Sequence, residues 1–293
     1  MGTSSASLDD LRRRIDEIDD RLHDLIMQRA ALVEDVAAVK RQGNTLPMRP
    51  GREATILRRL VARHRGPFSR RTLIRIWREL ISGATELQGE FTVAVPLLED
   101  TPDYWDLARD HFGGHAPMIA YHSVGEVLRA LAEGRADVGV MPMPAEGERQ
   151  PWWPLLAVGG AAAPHVLARL PFAGRGNARG GGGHDALAIG HGDADPSGED
   201  RSLIALETQG EPSRARLIDA LQSAGLTVTL LALHEPSGGI AWSLVEIDDM
   251  VPAADPRLEA ALRTLGEQVT RVVHLGSYAK PIPAAALDGE AAR

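Results

Sequence analysis

The stretch LDDLRRRIDEIDDRLHDLIMQRAALVEDVAAVKR, residues 8–41, decides the fold of the first third of the chain. Aliphatic residues recur in it at steps of three and four, the spacing of one face of an α-helix. Ser7 suits the N-cap, and Asp9 and Asp10 suit the positive end of the helix dipole. Gly43-Asn44 is a stop signal. The sequence therefore predicts one helix over residues 8–41. Its apolar positions are Leu8, Leu11, Ile15, Ile18, Leu22, Leu25, Leu32, Val36 and Val39.

A helix of this length, about 50 Å at 1.5 Å per residue, needs a partner along its whole apolar face. Two shorter helices are predicted over residues 51–65 and 69–88, separated by Gly66-Pro67. Together they would cover only part of that face. A dimer is the simplest way to bury the rest.

After Gly89 the pattern changes to alternating strands and helices, which is typical of an α/β unit. Strands are predicted over 91–96, 118–121 and 138–141, and helices over 103–112 and 123–133. From residue 201 the predicted order is βαββαβ, the ferredoxin-like pattern. Residues 281–293 are expected to be loose. The glycine-rich segment 174–184 is expected to be a flexible loop, because it lacks the strand, helix and Lys-Ser/Thr of a phosphate-binding loop.

Composition excludes several classes of protein. The 293 residues include no cysteine, so disulfides, thiolate catalysis and cysteine-ligated metals are excluded. Apolar runs fall short of the ~20 residues that span a bilayer, and the N-terminus lacks the features of a signal peptide. We therefore expect a cytoplasmic protein that does not associate with membranes. The ten histidines lack a metal-ligand spacing such as His-Glu-x-x-His, and neither metal nor cofactor is expected.

Charge is unevenly distributed along the chain. Residues 1–90 carry 17 Lys+Arg and 13 Asp+Glu, whereas the whole chain has a net charge of −8. An acidic bulk repels phosphates and argues against nucleic-acid binding. A basic N-terminal part instead favours a local pocket for a small anion.

The first helix carries the cations of such a pocket. Lys40, one of only two lysines in the chain, lies eleven residues after Arg29, about three turns, so the two face nearly the same way. Arg12 lies 17 residues before Arg29, roughly 26 Å along the axis. An antiparallel helix from a second chain could bring it to the same ligand.

The other two helices add polar groups at their ends. Arg52-Glu53 opens the second helix and Gln88 ends the third. Several cations, one carboxylate and one amide, without an obvious nucleophile, suit a dianionic substrate whose reaction needs charge stabilisation. Taken singly, Glu53 would be a first-turn dipole residue and Gln88 a surface amide. The remaining arginines of the first helix are assigned to its solvated face; they are Arg13, Arg14, Arg21 and Arg41.

These residues resemble those of the all-helical chorismate mutases. The motifs are LRRRID (residues 11–16), QR (28–29), VK (39–40) and RPGREA (49–54), and the resemblance covers residues 8–88. It is closest to the mutase domain of bifunctional chorismate mutase–prephenate dehydratases. It implies an isomerase that forms an intertwined helical homodimer with active sites shared between chains. The implied reaction is the Claisen rearrangement of chorismate to prephenate.

The resemblance also implies a role for each site residue. Arg29, with Arg12 from the other chain, would bind the two carboxylates of the substrate. Lys40 and Gln88 would donate to the ether oxygen, Glu53 would orient the ring hydroxyl, and Arg52 would support the pocket. Two departures stand out. Pro50 follows Arg49 where some members have a substrate-contacting Asp, and Ala84 replaces a frequent serine.

The later segments resemble their family counterparts only in part. Residues 121–142 are similar to part of a prephenate dehydratase lobe, but MPAE at 143–146 replaces Ile-Glu-Asn-Ser/Thr and the catalytic Thr-Arg-Phe is absent. A degenerate domain without dehydratase activity is expected. Residues 201–280 resemble the regulatory ACT domain, with SRARL at 213–217 and LHEPS at 233–237 replacing the phenylalanine-binding motifs.

The expected architecture is therefore multidomain. An all-α three-helix mutase domain (1–89) precedes a degenerate dehydratase-like α/β domain (90–200), a βαββαβ ACT-like domain (201–282) and a loose tail (283–293). Two alternatives stay open: an active bifunctional enzyme with an unrecognised dehydratase site, and a non-catalytic aromatic amino acid sensor or partner subunit.

Overall fold

The computed structural model describes residues 7–40, 47–99, 101, 103–148, 150–174, 183–210, 213–235 and 239–288, without the side chains of Lys40 and Ala161. Three helices lead the chain: α1 (Leu8–Lys40), α2 (Pro50–Arg63) and α3 (Arg70–Glu86). All three predicted helices are present. Most of the glycine-rich segment, residues 175–182, and the stop signal at 43–44 lie outside the described residues.

The α/β part begins at β1 (Val93–Pro96). It continues through α4 (Tyr104–Phe112), β2 (Met118–Tyr121), α5 (Val124–Ala132), β3 (Val138–Pro142), α6 (Trp153–Val158), β4 (His165–Leu170) and β5 (Ala186–Gly190). The last part comprises β6 (Asp200–Gln209), α7 (Arg214–Ser223), β7 (Val228–His234), β8 (Ile240–Ile247), α8 (Pro256–Leu265), β9 (Val269–Ala279) and α9 (Ala284–Asp288).

All nine of these strands lie in one mixed sheet, in the order β2-β1-β3-β5-β4-β9-β6-β8-β7. The predicted βαββαβ order is present from β6 to β9. Its strands join the preceding unit where Val166 of β4 pairs with Gly276 of β9. A Cβ on Gly276 would lie 2.3 Å from the carbonyl oxygen of Val166, so this close approach requires glycine. The two α/β units therefore share a sheet.

Helix α1 leaves its apolar face in solvent. Leu25 is 59% exposed and Leu32 is 65% exposed, whereas Ala37 is buried. The exposed apolar side chains of this helix are Leu8, Leu11, Ile15, Ile18, Leu22, Leu25, Ile26, Met27, Leu32, Val36 and Val39. The sequence predicted that an apolar stripe of this length would need a partner, and in the single chain the stripe faces solvent. Among the described residues, the helices are all too short or too polar to cross a bilayer.

Part of the segment expected to be a loose tail, residues 284–288, forms helix α9, whereas residues 289–293 lie outside the described residues. Helix α9 packs against α3, with Leu287 buried and the Arg71 guanidinium 2.6 Å from Oδ1 of Asp288. Arg70 donates to the carbonyl oxygen of Ala286 at 3.1 Å. The Ala-rich composition suggested mobility, but one leucine and two arginine contacts fix residues 284–288.

Candidate active site

Glu53 lies in the first turn of α2 and points into the protein. Its carboxylate forms an ion pair with the Arg78 guanidinium of α3, Nη1 to Oε2 2.9 Å, and the two side chains are 11% and 6% exposed. The guanidinium also lies over the ring of Phe172, 5.4 Å from its centroid. Phe172 follows β4, so the α/β part covers this pair.

Burial is the largest influence on the ionisation of Glu53. It raises the pKa of that carboxyl, while the charge of Arg78 and a hydrogen bond from the Arg49 backbone lower it, and the net direction is upward. Burial likewise holds the pKa of His111 well below its usual value, and Arg78 adds to this effect. His111 of α4 is therefore neutral beside a buried ion pair.

Glu53 and His111 line a small pocket of about 20 Å³ between the helices and the α/β part. Its other lining residues include Ile81, Ser82, Thr85 and Glu86 of α3 and, from the chain after α3, Phe91 and Phe112. Arg12, Arg29, Arg52 and Gln88 do not line it. A single chain thus gives Glu53 a different environment from the other predicted site residues.

Arg29 is half-buried where α1 crosses α3. Its Nη1 donates to the carbonyl oxygen of Leu80 at 3.2 Å, and burial lowers its pKa, although a guanidinium stays charged. Gln88 lies just after α3 and donates from Nε2 to the carbonyl oxygen of Ala84 at 2.9 Å. Both predicted residues are therefore on the same end of α3.

Arg12 and Arg52 are not brought to this place within one chain. Arg12 is exposed and contacts only its helix neighbour Asp9 in the described part of the chain, Nη1 to Oδ1 3.4 Å. Arg52 is exposed at the start of α2. The backbone of Lys40 ends α1, and its side chain lies outside the described part.

A feature that sequence reasoning missed is the anchoring of α2 by a distant loop. Asp195 accepts hydrogen bonds from the backbone N–H of Gly51 and of Arg52, each at 3.0 Å. Further along α2, Arg58 donates to the backbone of Ser197, Glu199 and Lys280. The only sequence signal was Arg49-Pro50, which opens a helix without a side chain suited to capping it.

Arg78 was also missed, although a signal for it existed. It lies on the buried stripe of α3 between Ile74 and Ile81, at helical spacing. A charged residue on an apolar stripe is buried only when it is paired. Its position therefore called for a carboxylate on the neighbouring helix, and Glu53 is that carboxylate.

With this geometry in view, comparison with known families is decisive for the N-terminal part. Residues 11–89 match the family model of chorismate mutase type II. Residues 11–89 belong to the type II chorismate mutases. This chorismate mutase region contains α2 and α3, all of α1 from Leu11 onward, and every predicted site residue.

Curated relatives match less than half of this chain and less than half of their own length. The bifunctional chorismate mutase/prephenate dehydratase of Pseudomonas aeruginosa is 34% identical over 138 residues, 45% of this chain and 38% of that protein. The chain thus spans well under half the length of this curated relative. Among solved structures, a prephenate dehydratase from Arthrobacter aurescens in complex with L-Phe has a TM-score of 0.48 at 14% identity, over 67% of this chain and 94% of that one. GqqA, a quorum quenching acylase, has a TM-score of 0.49 at 17% identity, over 67% and 97%.

The chemistry available in the chorismate mutase region is that of charge and hydrogen bonding. Within the described ranges, His, Asp and Glu side chains do not gather in a group of three or more that could hold a metal ion. The region offers guanidinium, ammonium, amide and carboxylate groups on three helices. These can bind and polarise a dianion without forming a covalent intermediate.

Proposed function

We propose that the chain is an isomerase that converts chorismate to prephenate. The observation that carries this proposal is the family match over residues 11–89, combined with retention of Arg12, Arg29 and Lys40 at their spacing on one helix. Substitution of any of these cations would have weakened the proposal. Arg29 is also already half-buried against α3, as a carboxylate-binding residue in an enclosed site must be.

The reaction needs no co-reactant. In the Claisen rearrangement the ether carbon–oxygen bond breaks as a new carbon–carbon bond forms in the same molecule, and no proton is transferred. Negative charge grows on the ether oxygen in the transition state, so Lys40 and Gln88, proposed as its donors, bind that state more strongly than the substrate. Arg29 and Arg12 would bind the two carboxylates and hold the reactive conformer. Glu53 would accept from the ring hydroxyl, and Arg52 would support the pocket.

The proposed site is completed by a second copy of the chain. Arg12 and Arg29 are about 26 Å apart along α1, too far to hold one small substrate. The exposed apolar stripe of α1 supports an intertwined homodimer, in which an antiparallel α1 would bury that stripe and deliver Arg12 to the other chain's Arg29.

We propose a structural role for the α/β part. The Thr-Arg-Phe motif of the dehydratase family is absent from the sequence, which supports loss of dehydratase activity. The β6–β9 unit, with strand order β9-β6-β8-β7 and α7 and α8 between strands, supports its assignment as ACT-like. The bifunctional relatives favour one alternative, a chain that also dehydrates prephenate.

One assay tests the proposal. Purified protein is expected to consume chorismate and form prephenate. Lys40→Ala and Gln88→Ala should each lower turnover by on the order of a hundredfold, as for loss of an oxyanion donor. Arg14→Ala, on the solvated face of the same helix, is the matched control and should leave turnover unchanged.

Two other outcomes would favour the alternatives. Absence of turnover, with binding of an aromatic amino acid to residues 201–280, would favour the non-catalytic sensor. Phenylpyruvate formed from prephenate at neutral pH would favour the bifunctional enzyme.

A further inference from the structure

Helix α2, which carries Arg52 and Glu53, begins without a cap of its own. Its N-cap residue, Arg49, makes no side-chain capping bond, and Pro50 occupies the first turn. The first N–H groups of a helix have no partner within the helix, so they need an acceptor from elsewhere. Asp195 supplies it: its two carboxylate oxygens accept separately from Gly51 and Arg52, each at 3.0 Å.

The fit between α2 and this loop is close. A Cβ on Gly51 would lie 1.9 Å from the carbonyl oxygen of Asp195, so only glycine allows the loop to approach the helix this closely. The negative charge of Asp195 also meets the positive end of the helix dipole. Arg49 reinforces the contact, with its Nε 3.4 Å from Oδ2 of Asp195.

The loop contacts α2 at a second point, and hydrogen bonds to β6 hold the loop in place. Arg58, two turns further along α2, donates to the Ser197 hydroxyl at 2.9 Å and to the carbonyl oxygen of Glu199 at 2.8 Å. The backbone N–H groups of Ser197 and Gly198 donate to Asp200 at the start of β6, at 2.9 and 3.0 Å. Residues 195–199, here called the α2 clamp, thus connect α2 to the central sheet.

We propose that the α2 clamp belongs to the mutase machinery, with Asp195 as a positioning residue that fixes Arg52 and Glu53 from the α/β part of the chain. The inference rests on the proposed function. It implies that the α/β part is required for full mutase activity even though it carries no reacting group.

Asp195 also acts on Glu53 through its charge. Several ionisable groups lie near that carboxylate. They are Arg78 and Glu86 on α3, His111 on α4, Arg169 on β4, Arg49 just before α2, and Asp195 in the α2 clamp. The charge of Asp195 raises the pKa of Glu53, whereas Arg78 lowers it. Asp195→Asn keeps the side chain's shape and one acceptor oxygen but removes the charge, so it should lower the pKa of Glu53.

The experiment combines exchange and kinetics on the full chain. Amide hydrogen exchange at Gly51 and Arg52 should be slow in the wild type and faster in Asp195→Ala, because the cap is lost. The same variant should lose on the order of tenfold in kcat/KM for chorismate, through misplacement of the first turn. In Asp195→Asn the acid limb of the kcat/KM profile, where Glu53 takes up a proton, should move to lower pH. A purely structural role would not move that limb.

Asp193→Ala is the matched control. Asp193 lies in the same loop, is 88% exposed and contacts His165 rather than α2. It should leave exchange, kinetics and the pH profile unchanged. Active wild-type protein with unaltered kinetics and an unmoved acid limb in both Asp195 variants would overturn the inference alone. Wild-type protein that does not consume chorismate would overturn the proposed function as well, while the exchange result would still report on the cap.

Discussion

Glu53 of α2 and Arg78 of α3 form a buried ion pair, with 2.9 Å between Oε2 and Nη1. Its members come from the two short helices, and Phe172 of the α/β part covers it. Removing one partner from a buried pair leaves an uncompensated charge, which destabilises far more than the loss of an exposed pair. The pair therefore connects the proposed site to the folding of the whole chain.

Arg78→Met should lower the free energy of unfolding by about 3–5 kcal/mol at neutral pH, because Glu53 would be left buried without its counter-charge. Urea unfolding is the measurement. Arg75→Met is the control on the same helix: Arg75 pairs with Asp110 but is 57% exposed, so about 1 kcal/mol or less is expected. The double variant Glu53→Gln/Arg78→Met should lose less than the two single losses combined. Strict additivity would contradict direct pairing.

Acidification should reduce the loss in free energy of unfolding that Arg78→Met causes. Since burial raises the pKa of Glu53 in the folded protein, the folded state holds that proton more tightly than the unfolded state. The contribution of this group to stability is thus present at low pH and lost as pH rises through the raised pKa. Without Arg78 the pKa of Glu53 is raised further, so the difference in the free energy of unfolding between Arg78→Met and wild type should narrow as the pH falls from neutral. A difference independent of pH would mean that Glu53 stays protonated throughout.

His111 should make the protein less stable in mild acid. Burial lowers its pKa well below the ordinary 6.5, and its Nε2 lacks a hydrogen-bond partner in the described structure. Below pH 6.5 this histidine gains a proton in the unfolded state that it does not accept in the folded state, so the free energy of unfolding falls as the pH drops from 6.5. His111→Gln should flatten this part of the stability profile, measured by urea unfolding at several pH values. The same substitution at exposed His122 should not.

Mixing two inactive variants tests whether sites are shared between chains. Arg12→Ala and Arg29→Ala should each be nearly inactive alone. After mixing and subunit exchange, roughly a quarter of wild-type turnover should return, because half of the dimers are mixed and each has one complete site. A mixture as inactive as its components would place both arginines in the site of one chain.

The exposed stripe of α1 should hold that dimer together. Leu22→Glu puts a charge in the middle of the stripe and should yield monomers in sedimentation analysis, with loss of turnover. Arg21→Glu changes charge at the neighbouring solvated position and should leave the dimer intact. A dimer that survives Leu22→Glu would have to use another surface.

The C-terminal helix should contribute to stability. Leu287 is 4% exposed in a cluster with residues of α2 and α3, so Leu287→Ala should lower the free energy of unfolding by about 2–5 kcal/mol. Leu155, which is 56% exposed, provides the control, and Leu155→Ala should change stability little. Equal effects at the two positions would show that α9 does not pack in solution.

Regular elements could be predicted because their signal is local. Helix α1 followed from aliphatic residues at three- and four-residue steps, and β2 was predicted with its observed bounds, Met118–Tyr121. The candidate site residues could be named from the sequence for a related reason. Arg29 and Lys40 are related by helical periodicity, and Gln88 and Glu53 by their places at helix ends. Such relations depend on the local helix alone and not on how the rest of the chain folds.

The partners of those residues were set by the tertiary structure alone. Glu53 meets Arg78, and Gly51 meets Asp195, because α2 packs at once on α3 and on a loop 144 residues further along the chain. Periodicity gives the face of a helix but not what will cover it, since that depends on how all elements share the limited buried volume. The sequence by itself thus determined helices α1 to α3, the βαββαβ order of the last unit and the cations of α1, and only the fold decided that the α/β part would hold the start of α2.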